Sequence, residues 1–400
     1  MALQRNPTMV QAAAQIEISR DKALQAGLYL NPTLGYQGEQ IGIPGPKGTR
    51  TPGEFQGGYI RQEIVTAGKL RLSRAKYQQE TRAAEIQATA QQLRVVNGIE
   101  IGFYEVLAAQ RLIENHRELL KNVAEGVKIT EQLIAVGQGN APDLLQAKVE
   151  ANTERVALVA AQQRYRRSWE HLITLIGAPE LAPMQLTGEL EPNGPPLVWE
   201  TELCRLLAES PEIHFAQAEV TRDEITIRRE QVEPIPNIVV QGGPGYNFET
   251  PGTNWAAQVS IRVPLFDRNQ GTIRQARSDL TRAHAEVTRM ELTLRRRLAD
   301  AFSRYETARE SVQVFREQSI PDSRKAYELY QEYFMKRRAA WPQVLVAQRT
   351  YFQLSNDYTN ALFDLRRAEV EIRGLLLVDG LMSPPGPTPQ GHINATPRPR

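Results

Sequence analysis

The side chains able to do covalent or metal chemistry are scattered along this chain of 400 residues. Its five histidines form no H-E-x-x-H set and no group with the single cysteine, Cys204. Neither a zinc site nor an internal disulfide is written into that spacing. Cys204 reads as a small, half-buried helix residue. Gly68-Lys69 is not a phosphate loop, because Leu70 follows the lysine and position 63 is Glu63 rather than glycine. Carboxylates are many, but nothing ties a pair to one concave site. Methionines are few and unclustered. The chain is read as a non-enzyme with no cofactor and no metal site. What remains is charge and packing at two breaks in helical sequence. One carries Gly137, Gly139, Pro142, Asp143, Leu144 and Leu145; the other carries Lys336, Arg337, Arg338 and Gln343. Pro142 suits a first helical turn, and a carboxylate at 143 is favoured by the helix dipole.

Composition narrows the partners. The 48 basic and 46 acidic residues are interleaved and leave a net charge of +2, unlike the clustered basic footprint of a nucleic-acid binder. The triplet Arg295 to Arg297 reads as a solvated helix face. No apolar run approaches the ~18 residues of a transmembrane helix.

The elements that position these breaks show most clearly between Trp255 and Phe315. Trp255, Ala257, Val259, Ile261 and Val263 alternate with Ala256, Gln258, Ser260 and Arg262, the period of a strand with one apolar face. Pro264 ends it. Apolar or small residues then recur from Ile273 to Phe315 in twelve steps over 42 residues, a mean of 3.5, which is a coiled-coil seam. No Pro or Gly interrupts Thr272 to Ile320, so the helix spans roughly 70 Å at 1.5 Å per residue.

In chain order, residues 1–31 read as helix, stopped by Asn31-Pro32. Residues 32–65 hold eight glycines and four prolines, with strands expected at Leu34–Ile41 and Phe55–Ile64 and a Pro/Gly loop between them. Helix resumes from Gly68 to about Val136 and, after Gly137-Gln138-Gly139, from Pro142 to about Ile176. A Pro/Gly-rich linker covers 178–198. Glu200 to Glu233 is helical with a break at Ser210-Pro211. Strands are expected at about Asn237–Val240 and Trp255–Val263, with a Gly/Pro loop between. The long helix carries a kink at Pro321, breaks near Pro342 and ends near Leu377. The tail over 378–400, with six prolines from Ser383 onward, is expected to be disordered.

The chain repeats itself. Pro7 and Pro211, like Pro32 and Pro236, are 204 apart; Pro142 and Pro342, Leu145 and Leu345, Ala147 and Ala347 are 200 apart. Two repeats, 1–177 and 199–377, flank the linker. Each is helix, two strands, long helix, break, long helix. The fold expected is mainly α, with long antiparallel coiled-coil helices and two β-hairpins. Four strands cannot close a barrel, and open edges cannot face lipid, so strands and helices must continue across subunits.

In this duplicated frame, several segments resemble the TolC-like outer-membrane efflux family. They are Ala2-Leu3-Gln4-Arg5-Asn6-Pro7, Leu30-Asn31-Pro32, Val136-Gly137 with Asp143-Leu144-Leu145-Gln146-Ala147, Val263-Pro264-Leu265-Phe266-Asp267-Arg268-Asn269-Gln270-Gly271, and Val344-Leu345-Val346-Ala347-Gln348. The resemblance covers about residues 1–377, and the Leu265 to Gly271 run is similar to the branch that serves RND-type pumps and heavy-metal exporters. It implies a homotrimer with a twelve-stranded outer-membrane barrel, a periplasmic helical tunnel, and the linker packed as an equatorial belt. A periplasmic adaptor, an inner-membrane pump and outer-membrane lipid are the partners implied, with no nucleic acid.

The resemblance places Asp143, Gln343, Arg337 and Arg338 at the periplasmic aperture. Gly137, Gly139, Pro142, Leu144, Leu145 and Lys336 fall at the adaptor-docking tip, and Trp255, Val259, Ile261 and Val263 on the lipid face of the barrel. The second repeat departs from the family, carrying Arg337 and Gln343 where the first has Gly137 and Asp143. Tyr330, Tyr333 and Phe334 read as interhelix packing. The family is made with a signal sequence, and Ala2 to Pro7 matches the interior of its first helix, so the natural start is expected upstream. The alternative from the residues alone is a soluble coiled-coil scaffold, which has no use for a repeated pair of alternating strands.

Overall fold

The computed structural model describes residues 2–42, 53–192, 194–336 and 338–383. Arg337, most of the loop between the first two strands (43–52) and the tail from 384 lie outside the described residues. The elements are α1 (Ala2–Arg5), α2 (Pro7–Gly27), β1 (Thr33–Glu39), β2 (Phe55–Ile64), α3 (Lys69–Ala135) and α4 (Ala141–Ile176). After residues 178–192 and 194–198, which form neither helix nor strand, come α5 (Trp199–Glu209), α6 (Pro211–Val232), β3 (Ile238–Asn247), β4 (Gly252–Ile261) and α7 (Gln270–Val314). A π-helical turn (Phe315–Ser319) leads into α8 (Ile320–Met335), and α9 (Trp341–Arg373) is the last helix. No described helix is long and apolar enough to cross a membrane.

The chain divides into two compact units. One gathers residues 13–87 and 214–289 and holds the sheet, with antiparallel order β1-β2-β3-β4. β1 and β4 are its edges. β2 matches the expected strand; β3 does not stop at Val240 but runs through Gly242, Gly243, Pro244 and Gly245. These glycines are needed within the ladder. A Cβ on Gly243 would meet the Gly58 carbonyl oxygen at 2.0 Å, and one on Gly245 would meet the Phe55 ring at 2.0 Å. Close approach of β2 and β3, the strands that join the two repeats, therefore requires glycine on both sides. The paired register lapses opposite Pro244, which has no N–H to donate. β4 begins earlier than expected and ends at Ile261, so Val263 lies beyond the strand. Ile261 pairs with Ile238, the first residue of β3 after Pro236, and a ladder carried further would meet that proline.

The other unit gathers residues 2–12, 88–213 and 290–383. Its main core takes Leu294, Leu298, Tyr305, Ala308 and Val312 from the α7 seam and Leu362, Leu365 and Ile372 from α9. At ~1.5–3 kcal/mol per large side chain this seam is its principal stabilising layer. Segment 178–198 packs on it. Leu190 and Leu197 are buried, the Tyr305 hydroxyl accepts from the Leu197 N–H at 3.0 Å, and Arg366 Nε donates to the Leu190 carbonyl at 2.9 Å. At Pro321 the chain inserts a π-helical turn, whose wider hydrogen bonds precede a residue with no N–H of its own. α9 stops at Arg373, short of Leu377. Leu375 and Leu376 adopt positive φ and are buried. The chain stays packed to Gly380, whose carbonyl accepts from Thr8 Oγ1 (3.0 Å) and Gln91 Nε2 (3.1 Å). The expected disorder from 378 is thus not found over 378–383. Cys204 is exposed rather than half-buried, since α5 turns Leu206 to the core instead. Arg295 and Arg296 are exposed, but Arg297 binds Glu212 and the Leu376 carbonyl.

Candidate functional site

The two helical breaks are built differently. After α3, Gly137 takes φ +73°. The Gln138 N–H donates to the Leu133 carbonyl at 2.8 Å and the Gly137 N–H to the Ile134 carbonyl at 3.0 Å. This is a left-handed helix stop that favours glycine. A Cβ on Gly139 would stand 2.9 Å from Ile134 N, so the turn folds closely back. Asn140 caps α4, its side-chain oxygen accepting from the Asp143 N–H at 2.9 Å. Pro142 and Asp143 lie in the first turn. Gly137, Gly139 and Pro142 are exposed, Asp143 and Leu144 half-buried, and Leu145 is 64% exposed. Asn140 was not singled out from the sequence, although an Asn directly before Ala-Pro-Asp is itself a helix-start signal.

The second break has no glycine. The Lys336 N–H donates to the Glu332 carbonyl at 3.0 Å, its ammonium pairs with the Glu332 carboxylate, and the Arg338 N–H donates to the Tyr333 carbonyl at 2.7 Å. Gln343 caps α9 from inside the helix, its side-chain oxygen accepting from the Ala340 N–H at 3.1 Å. This is half a capping box, because alanine has no acceptor to return. Lys336, Arg338 and Gln343 are exposed. The anchor here is Trp341, buried with Val344 and Leu345, half-buried Tyr327 and Phe334 packing alongside. A Cβ on Gly126 would meet the indole at 2.1 Å, so that glycine makes room on α3. Phe334 packs as expected; Tyr330 and Tyr333 are exposed instead.

In the sheet unit the expected lipid-facing residues are open. Trp255 is 78% exposed, and Val259, Ile261 and Val263 are exposed with it. The connections next to the strands are tied by polar contacts. Lys69 Nζ donates to the Ile235 carbonyl (2.6 Å) and Asn237 Oδ1 (3.0 Å), and Asn269 Nδ2 donates to the Glu230 carbonyl (2.9 Å) and carboxylate (2.8 Å).

Sequence reasoning missed a buried charge cluster between α3 and α6. Arg222 Nη1 donates to Glu219 at 2.6 Å and Arg222 Nε to Asp223 at 3.0 Å, with all three side chains and Glu80 buried. Two carboxylates share one guanidinium. Burial, reinforced by Asp223 and Glu80, outweighs Arg222 and pushes the Glu219 carboxyl up to about 8. Burial brings the neighbouring Lys76 down to about 8. Helical spacing at 219, 222 and 223 is the only sequence signal for this cluster. Among the described residues, no group of three or more His, Cys, Asp or Glu is placed to hold a metal ion.

The outer membrane efflux protein family matches residues 1–178 and 203–376. The chain is 25% identical over 379 residues to the cobalt-zinc-cadmium resistance protein CzcC of Cupriavidus metallidurans, covering 94% of this chain and 88% of that one. Its fold is similar to the outer-membrane channel OprN (TM-score 0.77, 20% identity, covering 95% of this chain and 89% of that one). It is similar also to CusC (TM-score 0.79, 16% identity, covering 94% and 90%). The duplicated helices, the four-stranded sheet and a family match over both repeats give one answer. The chain belongs to the outer membrane efflux protein family, the passive exit ducts of tripartite efflux systems in the outer membrane.

Proposed function

We propose that three copies of this chain form one duct, with β4 of each copy pairing β1 of the next. The observation that carries this is the strand order β1-β2-β3-β4. Among the described residues neither edge has a partner strand, and unpaired backbone groups in lipid cost several kcal/mol each. Three sheets of four strands supply twelve, a number that closes. The duplication 1–177 and 199–377 then gives each copy two pseudo-equivalent shares of the wall. Residues 178–198, packed on the core by Leu190 and Leu197, form the belt around it.

In this reading the two helical breaks are the periplasmic tip. A periplasmic adaptor engages Gly137, Gly139, Pro142, Leu144, Leu145 and Lys336, and an inner-membrane pump supplies the work. Asp143, Gln343 and Arg338 line the aperture, so closure rests on mixed rather than acidic charge. The similarity to CzcC points to divalent metal ions as cargo. Deleting the gene should lower tolerance to cobalt, zinc and cadmium. Unchanged tolerance to all three would overturn the metal reading, and a monomer soluble without detergent would overturn the trimer.

A further inference from the structure

Two polar residues interrupt the buried face of α3. Asn115 and His116, both half-buried, stand between Leu112 and Ile113 on one side and Leu119 and Val123 on the other, all four of these buried. Between them they address both helices that flank α3. Asn115 Nδ2 donates to Asn356 Oδ1 at 2.9 Å and to Ser355 Oγ at 3.2 Å, both on α9. His116 Nδ1 lies 2.5 Å from Oε1 of the buried Glu154 on α4, and Asn356 Nδ2 reaches the other ring nitrogen, Nε2, at 3.4 Å. On α9 the layer is bracketed by buried Phe352 on one side and by buried Tyr358 and Leu362 on the other. The duplication makes this layer informative. At the offset of 200, Asn115, His116 and Glu154 become Phe315, Arg316 and Leu354, while Ser355 and Asn356 become Arg155 and Val156. Half of the layer is written only in the first repeat and half only in the second.

We infer that this layer allots α3 to α9 of its own chain and rejects α4 of another copy, so that unlike repeats alternate along the wall. The inference rests on the reading of the protein as an assembly of copies and adds what fixes their order. Apolar packing alone would not fix it. α4 is the counterpart of α9, and it carries Leu145, Val149, Val156 and Val159 exposed along one side at near-heptad spacing. That stripe could take the place of α9 on the α3 of a second copy. The polar layer tells the two helices apart. With α4 in that place, Arg155 and Val156 would face Asn115 and His116, and neither side chain offers an acceptor to the Asn115 amide or a bond to His116 Nε2. Unpartnered polar groups are costly to cover, whereas a wholly apolar seam would take either helix. A single polar layer in a helical seam specifies partner and register at some expense of stability, and replacing such groups by apolar side chains is often neutral or stabilising.

Two variants of the full chain test this, each extracted in detergent and read by native mass spectrometry and thermal unfolding. The first, Arg155→Ser with Val156→Asn, gives α4 the side chains of α9 at two exposed positions and leaves the layer itself intact. The second makes the layer apolar, with Asn115→Leu, His116→Leu, Glu154→Leu and Asn356→Leu together. Each should lose about two-fold or more of the trimer to other oligomers, the second with no fall in its unfolding midpoint. A lone trimer from either variant would reduce the layer to ordinary packing and overturn the inference, while the assembly stands. Should the apolar variant fail to fold, the surface pair decides by the same criterion. A native chain that is monomeric would overturn the trimer itself and this inference with it.

Discussion

Leu145 and Leu345 stand 200 residues apart at the same step of the two repeats, each three residues after a proline. Leu345 is 7% exposed and Leu145 is 64% exposed. The cause lies four residues earlier, where Trp341 replaces Ala141. The indole fills the space left by Gly126 and draws the start of α9 onto α3, whereas the start of α4 is held by a turn and a cap. The first repeat's break is thus fastened locally and the second repeat's by tertiary packing. The sheet unit shows an analogous split at the offset of 204. Glu219, Arg222, Asp223 and Glu230 on α6 correspond to Gln15, Ile18, Ser19 and Ala26 on α2. One helix buries an ion cluster where its counterpart buries Ser19 and Ala26. Duplication preserves the frame, and each copy then solves its own packing.

The sharpest way to break this comparison is Trp341→Ala, expected to destabilise by about 3–5 kcal/mol in urea unfolding of detergent-solubilised protein. Trp341→Phe should cost far less, because the buried indole N–H has no hydrogen-bond partner among the described residues and its loss relieves a desolvated donor. Next comes the leucine pair. Leu345→Ala should cost about 2–4 kcal/mol, while Leu145→Ala should stay within about 0.5 kcal/mol in the same assay; equal losses would erase the distinction between anchored and unanchored tips. Removing the local fastenings should have smaller effects, about 1 kcal/mol each for Asn140→Ala and Gly137→Ala, with no comparable loss for Ala340→Gly.

The α2–α6 contrast is read by pH. Glu219 holds its proton in the fold up to about 8, above its unfolded value of 4.5, so its contribution is fully present below pH 4.5 and lost as pH rises towards 8. Glu219→Gln should flatten the fall of the unfolding midpoint between pH 5 and 8. A variant that tracks the native profile would show that the cluster does not titrate.

Much of this protein follows from short-range pattern. The period-two run before Pro264, the 3.5-residue seam of α7, the bounds of β2 and the ends of α3 and α4 depend on side chains within a few positions of one another, where propensity and hydrophobic repeat act additively. The duplication adds the frame, and with it the family. Tertiary structure decided what those patterns leave open. Gly242 to Gly245 read as a loop by composition, yet they are strand, paired with β4, and Gly243 and Gly245 stand where β2 comes too close for a Cβ. The apolar residues 375–377 continue the helical pattern but leave the helix, buried where Asn97 Nδ2 donates to the Gly374 and Leu377 carbonyls at 3.0 and 2.6 Å. Leu145 and Leu345 have identical side chains and opposite burial, and the sheet keeps both edges open. Each of these depends on partners distant along the chain, and burial is a property of what arrives from elsewhere rather than of the residue that is covered.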